Sequence, residues 1–205
     1  RTIPVFLEIK DKIKYGEFGN IYCIEGDYLW GRINKLDGWR SKVDNYSLVL
    51  GAAIHLIDLV MWLIEQKPIK VFALGNKLGA SQAKLKQNSF VSILMDFPSG
   101  MVVKISAHGG CSHPHFHSLS VFGDKLTALH RIGEPVWISS CDRDITPVRI
   151  TSEYPAKNEY KKIICSFVDS IVSNDSPALV PAQDVFDVTS VCLAIDDSIK
   201  IQKPI

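Results

Sequence analysis

The sequence predicts an α+β fold, in which an open, mostly antiparallel β-sheet has its helices packed on one face. Helical periodicity occurs at both ends of the chain, and a series of short β-rich segments lies between them. These segments follow one another without intervening helices, and parallel neighbours would need long crossovers. Helices that lie outside such a meander usually gather on one face of the sheet. We therefore interpret residues 1–205 as a single domain.

The N-terminal elements follow from periodicity and from turn residues. Residues 5–14 place apolar side chains at helical spacing, and Gly16 then provides a helix stop. Residues 20–30 alternate and are rich in β-branched and aromatic residues, which predicts a strand. Residues 31–45 are polar and predict a long loop. Residues 47–64 are almost continuously apolar, which indicates a buried helix.

The middle of the chain changes to a period of two, and the tail returns to helix. The predicted strands are residues 69–75, 90–97, 101–108, 115–123 and 126–131. Turn signals such as Pro98-Ser99-Gly100 separate them. Residues 158–173 and 182–201 each place an apolar stripe on a helix. The sheet face without helices needs a cover, which predicts a homo-oligomer through that face or a second domain.

Composition excludes several classes of protein. Lys and Arg total 23 and Asp and Glu 22, a net charge of +1, whereas nucleic-acid binding needs clustered excess positive charge. No apolar run reaches the length of a membrane span, so no membrane partner is expected. The five cysteines are scattered and form no C-x-x-C pair, which favours free thiols and a cytoplasmic location.

Common phosphate-binding, nucleophile and zinc motifs are also missing. Gly16-Glu17-Phe18-Gly19 follows a predicted helix rather than a strand and lacks the G-x-G-x-x-G spacing. The sequence contains neither a G-x-S-x-G elbow nor an H-E-x-x-H zinc pair. This chain alone therefore has no evident dinucleotide site.

His55 and Asp58 are the only strongly polar residues inside the apolar helix, and residues three apart share a helix face. A carboxylate beside an imidazole can fix its tautomer and keep it available for proton transfer. The alternatives are a buried polar pair whose two members only satisfy each other, or a contact with the helix dipole.

Histidines also cluster at residues 108–117, where His113, His115 and His117 alternate with other residues. Same-face residues of a strand are about 6.5–7 Å apart, so three such imidazoles do not converge easily on one ion. We expect this segment to form a polar wall of a ligand cleft, and no metal is assigned. A metal site using these three residues and a solvated strand remain as alternatives.

Trp39-Arg40 stands in a glycine-containing loop just before the apolar helix. An indole and a guanidinium can stack on and clamp a sugar or carboxylate ligand, with Arg32 and Lys35 adding charge to the same rim. A loop anchored by one buried Trp, with its Arg in solvent, explains the pair equally well.

Taken in order, these motifs resemble the C-terminal domain of the glucose-fructose oxidoreductase / inositol dehydrogenase / rhizopine-catabolism (Gfo/Idh/MocA) family. The matching segments are Arg1-x-x-Pro4, Gly16–Ile21, Trp39-Arg40, Ala53–Asp58, Phe97–Gly100, Val121–Lys125 and Lys203–Ile205. Each is weak alone, but their order and spacing agree with the family.

The resemblance implies a two-domain enzyme, of which this chain is the substrate-binding and oligomerisation domain. NAD or NADP would be held mainly by an N-terminal Rossmann domain absent from this chain, so the chain alone is expected to be inactive. By position, His55 matches the family's active-site histidine, which moves a proton to or from the substrate hydroxyl. One departure stands out, because the family's usual Asp four residues before that histidine is Gly51 here.

Our leading hypothesis is therefore the substrate-binding domain of an NAD(P)-dependent oxidoreductase acting on a sugar, cyclitol or sugar-nucleotide-like alcohol. The catalytic candidate is His55, and the candidate cleft residues are Trp39, Arg40, Asp58, His113 and His115. The rival is a non-catalytic domain that dimerises or binds a ligand, in which Gly51 marks a decayed site.

Overall fold

A computed structural model describes residues 1–36, 38–44, 46–80, 88–133, 136–141, 148–150, 156–173 and 177–205. The described helices are α1 (Pro4–Lys14), α2 (Ile54–Ile64), α3 (Tyr160–Val172) and α4 (Ala182–Ile201). The described strands are β1 (Ile21–Leu29), β2 (Lys70–Asn76), β3 (Phe90–Asp96), β4 (Val102–His108), β5 (Phe116–Gly123), β6 (Thr127–His130), β7 (Val136–Ser139) and β8 (Val148–Ile150). Short 3₁₀ turns occur at Ile33–Lys35, Trp39–Lys42, Leu78–Ala80 and Lys157–Glu159.

These strands form one eight-stranded sheet in the order β2-β3-β4-β1-β5-β6-β7-β8. β1 runs parallel to β4, and every other described pairing is antiparallel. The parallel pair arises because β1, early in the chain, is inserted between the later strands β4 and β5. The predicted α+β class with an open, mostly antiparallel sheet is confirmed.

The core lies between the sheet and the helices α1, α2 and α4. In β1, Ile24, Gly26 and Tyr28 are buried and alternate with the more accessible Glu25 and Asp27. A Cβ atom at Gly26 would lie 3.2 Å from Leu56 Cδ1. The absence of a side chain at Gly26 therefore lets α2 approach the middle of the sheet closely.

Two parts of the prediction were incomplete. β7 and β8 were missed, because short strands with few alternating apolar residues give little periodic signal. The predicted helix over residues 47–64 begins at Leu48 and contains a π-helical turn, Val49–Ala53, before α2.

The predicted stripe on α3 is present but uncovered. Ile164, Phe167 and Ile171 are 65%, 58% and 64% exposed, and none of the side chains described in α3 is buried. Periodicity correctly predicted this helix, yet its apolar face contacts little of the described protein. Among the described residues, no helix has both the length and the apolar character needed to cross a bilayer.

Candidate functional site

The start of the central helix is fixed by Ser47, which acts as its cap. The Ser47 Oγ accepts hydrogen bonds from the backbone N–H groups of Val49 at 3.0 Å and Leu50 at 3.3 Å, and donates one to Asp196 at 2.7 Å. Such a cap satisfies donors that the first helical turn leaves unpaired. The π-helical turn follows directly, and π-turns inside helices occur frequently at functional sites. His55 is the second residue of α2, immediately beyond this turn.

The His55 ring is exposed and lies on Tyr28. The two rings stack with centroids 5.6 Å apart and planes at 17°. Strand register brings His117 to the same place, because Tyr28 of β1 is paired with His117 of β5. The His117 ring centroid is 4.5 Å from that of Tyr28 and 6.0 Å from that of His55. The imidazole rings of His55 and His117 therefore both pack against the Tyr28 ring.

His115 and Trp30 extend this cluster toward the end of the sheet. The His115 Nδ1 lies 3.2 Å from the Trp30 carbonyl oxygen, so Nδ1 carries the proton in the neutral ring and Nε2 is left as an acceptor. His113 is half-buried, and its Nδ1 is 2.8 Å from the Pro114 carbonyl oxygen. Its backbone passes close to Gly31, which has a φ of +58° and no room for a Cβ atom. His113 therefore lies at the rim of the cluster. His115, two residues further along, is also half-buried.

Arg40 joins the cluster through stacking on tryptophans. Its guanidinium carbon is 4.5 Å from the Trp39 ring centroid and 5.6 Å from that of Trp30, within the range of cation–π attraction. Trp39 is 61% exposed, whereas Trp30 is buried. The Trp30 ring in turn contacts the Tyr28 ring at 5.8 Å. Ring contacts therefore run continuously from Arg40 to His55.

The carboxylate of Asp58 forms its hydrogen bonds with Arg1 and not with His55. Its carboxylate accepts hydrogen bonds from Nε and Nη2 of Arg1 at 3.1 and 2.5 Å. Arg1 also pairs with Asp184 of α4. Asp58 still raises the pKa of His55 through its charge, but a hydrogen bond that would fix the imidazole tautomer is not formed.

The electrostatics of the cluster keep its imidazoles neutral. Desolvation lowers the pKa of His55 despite the opposing charge of Asp58, and it lowers the pKa of His117 to about 3. Desolvation and the positive charge of Arg32 both lower the pKa of His115. At neutral pH these three rings therefore carry no charge.

The absence of a side chain at Gly51 makes room for the Tyr46 ring. A Cβ atom at Gly51 would lie 2.0 Å from the Tyr46 hydroxyl oxygen and 2.6 Å from Tyr46 Cζ. The Tyr46 ring also contacts Trp39 edge-on at 6.2 Å. The phenol of Tyr46 therefore fills the space that a side chain at position 51 would need.

A second polar cluster lies on the opposite face of the sheet. Asp27 is paired in register with Ser106 and Ser118, and it accepts hydrogen bonds from both hydroxyls, that of Ser118 at 3.1 Å. The His108 Nε2 is 2.8 Å from Ser106 Oγ. The nearby His108, together with the Ser106 and Ser118 hydroxyls, lowers the pKa of Asp27 to about 2 although desolvation opposes this. Because Ser106 donates to the carboxylate rather than to the histidine, the arrangement is not a nucleophilic triad.

The described residues contain no group of three or more His, Cys, Asp or Glu side chains arranged to hold a metal ion. His113 and His115 direct their Nδ1 atoms to separate backbone carbonyls. The metal hypothesis for the histidine segment therefore gains no support from the described residues. All five cysteines are free thiols.

The structure brings most of the predicted site residues together around His55. Trp39, Arg40 and His115 lie in one connected cluster, with His113 at its rim. Sequence reasoning missed Tyr28, Trp30 and Tyr46. Alternation along β1 could have indicated that Tyr28 faces the helices, but no sequence pattern shows that Tyr46 fills the space at Gly51.

The open sheet with helices on one face makes this chain an α+β domain. An exposed histidine, His55, stands at the start of its central helix. The chain belongs to the GFO/IDH/MocA family, because residues 6–129 match the model described as GFO/IDH/MocA C-terminal domain. The predicted family is thereby confirmed. A comparison with curated proteins gave no match.

Solved structures share the fold at low sequence identity. Myo-inositol 2-dehydrogenase from Lactobacillus plantarum is 17% identical with a TM-score of 0.79, and the alignment covers 98% of this chain and 61% of the dehydrogenase chain. Scyllo-inositol dehydrogenase from Lactobacillus casei, solved with NAD(H) and scyllo-inositol, is 17% identical with a TM-score of 0.75 and covers 98% and 61%. Aldose-aldose oxidoreductase from Caulobacter crescentus is 14% identical with a TM-score of 0.79 and covers 98% and 60%. The chain spans about three-fifths of the length of each.

Proposed function

We propose that this chain is the substrate-binding and oligomerisation domain of an NAD(P)-dependent oxidoreductase acting on a sugar, cyclitol or sugar-nucleotide-like alcohol. The observation that supports this most directly is the exposed His55 imidazole, stacked at 5.6 Å on the buried Tyr28 ring. Membership of an oxidoreductase family and the inositol and aldose enzymes among the similar structures support the same class of substrate.

His55 acts as the acid–base group in this proposal. Its neutral imidazole accepts the proton of the substrate hydroxyl during oxidation and returns it during reduction. A bound nicotinamide would supply the hydride acceptor or donor for the substrate carbon. Asp58 assists by its negative charge, which offsets part of the loss of basicity that desolvation causes in His55.

The surrounding residues hold and orient the alcohol. His115 keeps Nε2 as an acceptor for a substrate hydroxyl because its Nδ1 is engaged by Trp30. Trp39 and Arg40 form one wall, where an exposed indole can lie against the apolar face of a sugar ring. His113 closes the rim on the other side.

The cluster also fits a nicotinamide ring as a neighbour. Tyr28, His55 and His117 offer flat aromatic groups that are neutral at pH 7. We propose that the nucleotide part of NAD or NADP is bound mainly by a Rossmann domain outside this chain, since the chain has no glycine-rich phosphate loop. We accordingly expect the chain alone to lack activity.

The test is a turnover assay on the protein at its full natural length. NADH and NADPH formation is followed with a panel of sugars, cyclitols and sugar nucleotides for the wild type and for His55→Gln. We expect the variant to lose about 10²–10⁴-fold in kcat, the usual contribution of a positioned acid–base group. Tyr15→Ala, which alters a ring 76% exposed at the end of α1, serves as the control. Unchanged turnover in His55→Gln would remove the role given to this residue.

We also propose that the open face of the sheet forms the subunit interface in a cytoplasmic homo-oligomer. Leu74, Leu94 and Val102 expose 51%, 46% and 46% of their surface on this face. Light scattering on Val102→Glu should show a smaller assembly than the wild type, and an unchanged mass would exclude this face. A stable dimer that binds no small alcohol even with cofactor would instead favour a non-catalytic dimerisation domain.

A further inference from the structure

The site offers hydrogen-bond donors where the family's usual pattern has a carboxylate. Position 51 is glycine, and the Tyr46 phenol takes up the space beside it. The Tyr46 hydroxyl is buried and lacks a hydrogen bond of regular geometry to any described residue, although the Arg40 guanidinium is close enough to act on it as a hydrogen-bond donor. Such a group has a free-energy cost unless a ligand completes it. Burial raises the pKa of Tyr46 although Arg40 opposes this, so the hydroxyl stays a neutral donor.

Three positively charged side chains, Arg32, Lys35 and Arg40, lie near the same cluster. Arg40 is held between Trp30 and Trp39, and Arg32 and Lys35 both act on His115 to lower its pKa further. Within the described ranges, none of these three cations forms an ion pair. A guanidinium positioned on two indoles, without a carboxylate partner, is a ready site for an oxyanion.

Negative charge near the site is already committed. Asp58 is the carboxylate that acts on His55, and it is already paired with Arg1 through two hydrogen bonds. The cluster as a whole therefore favours a ligand that brings its own negative charge.

We propose that the substrate of this site is an acidic polyol, whose carboxylate or phosphate group binds Arg40 while the Tyr46 hydroxyl donates a hydrogen bond to a neighbouring substrate oxygen. This inference rests on the proposed oxidoreductase function and narrows its substrate class. An uncharged sugar would leave Arg40 unpaired, whereas an anionic sugar satisfies both Arg40 and Tyr46.

Binding is measured by titration calorimetry on the protein at its full natural length, at constant ionic strength, with and without NAD(H). Glucuronate, galacturonate, glucose 6-phosphate and inositol 1-phosphate are compared with glucose, galactose and myo-inositol. We expect at least one acid to bind tenfold or more tightly than its neutral counterpart. Preference for the two uronates identifies a carboxylate ligand, and preference for the two phosphate esters identifies a phosphate ligand.

Variants connect this preference to the two residues. Arg40→Gln should abolish the preference for acids, and Arg40→Lys should retain part of it because the charge remains without the planar fork. Tyr46→Phe keeps the ring in place and should weaken acid binding several-fold. Lys42→Gln, an exposed cation on the same 3₁₀ turn as Arg40, is the matched control and should change nothing. Circular dichroism melts verify that each variant is folded.

The outcomes separate this inference from the proposed function. Equal binding of acids and neutral sugars, no binding of any acid, or an undiminished preference in folded Arg40→Gln overturns the inference. Arg40-dependent acid binding without reduction of NAD or NADP by any bound acid supports the inference and contradicts the proposed function. Turnover of neutral polyols at a kcat/KM equal to that of the acids supports the function and overturns the inference.

Discussion

Arg1 and Asp58 form a two-point ion pair that ties the start of the chain to the central helix. Nε and Nη2 of Arg1 lie 3.1 and 2.5 Å from the two carboxylate oxygens. The Arg1 side chain is only 6% exposed, and Asp184 of α4 is its other partner. Asp58 therefore joins the segment before α1 to α2 and α4, while its effect on His55 is electrostatic.

Asp58→Asn should therefore destabilise the protein. The variant leaves a nearly buried guanidinium with only one charged partner, and a hydrogen bond to a charged group contributes about 1.5–3 kcal/mol. Urea denaturation should show a loss of that size in the free energy of unfolding. The control Asp197→Asn, which breaks an exposed pair with Lys200, should lose much less. Unchanged stability with greatly reduced turnover would instead make Asp58 a direct partner of His55.

The pH dependence of catalysis should report His55. Desolvation places the pKa of His55 below its ordinary value of 6.5, so the imidazole is the free base at neutral pH. For alcohol oxidation, kcat/KM should be level near pH 7 and should fall as the pH drops below 6.5, where the base becomes protonated. His55→Gln should lose this acidic limb together with most of its rate. An identical acidic limb in the variant would assign the titration to another group.

The stability of the protein should decrease in mild acid because of His130. This buried ring packs against Phe6 at 5.3 Å and Phe116 at 4.9 Å, and desolvation lowers its pKa from 6.5 to about 4. Between these values the unfolded chain binds a proton that the folded chain does not. The free energy of unfolding should therefore fall by up to about 1.4 kcal/mol per pH unit below 6.5, and His130 adds nothing above it.

The measurement is urea denaturation at pH 7 and pH 5 for the wild type and His130→Gln. The variant should lose less stability between the two pH values, because a glutamine does not titrate. His113→Gln replaces a half-buried histidine at the rim of the cluster and serves as the control, for which we expect a loss equal to that of the wild type. If His130→Gln loses as much free energy of unfolding between pH 7 and pH 5 as the wild type does, the acid sensitivity comes from other groups, His117 foremost.

Local sequence patterns predicted the elements that bury a periodic face. The alternation of β1 and the continuous apolarity before Ile64 were sufficient to predict the strand and the central helix. β1 lies in the middle of the sheet, and α2 packs against it. The stripe on α3 predicted the helix equally well, but periodicity carries no information on what covers it. β7 and β8 were missed because each is too short to show a clear alternation, whereas β6, also short, follows β5 directly after the Gly123-Asp124-Lys125 turn signal.

The site was predictable where chemistry depends on single residue types and unpredictable where it depends on long-range contact. His55, Trp39 and Arg40 stand out by type and position. The ion pair of Asp58 with Arg1 joins residues 57 positions apart, and the stacking of His55 on Tyr28 depends on how α2 lies on β1. Neither relationship leaves a local signal in the sequence.

The close approach of Tyr46 to Gly51 gives a final prediction. A Cβ atom at position 51 would lie 2.0 Å from the Tyr46 hydroxyl oxygen, so the ring must move to admit even a methyl group. Replacing Gly by Ala in a helix gains about 1 kcal/mol, whereas overpacking costs about 1–3 kcal/mol. We expect Gly51→Ala to destabilise the wild type but to stabilise the Tyr46→Ala background.

A double-mutant cycle measured by urea denaturation tests this change of sign. The coupling between positions 46 and 51 should exceed about 1 kcal/mol, since the two groups compete for one space. Gly38→Ala is the control, because a Cβ atom there meets no atom closer than 3.9 Å, and its effect should be the same in both backgrounds. Additivity of Gly51→Ala and Tyr46→Ala within about 0.5 kcal/mol would show that the Tyr46 ring does not occupy this space in solution.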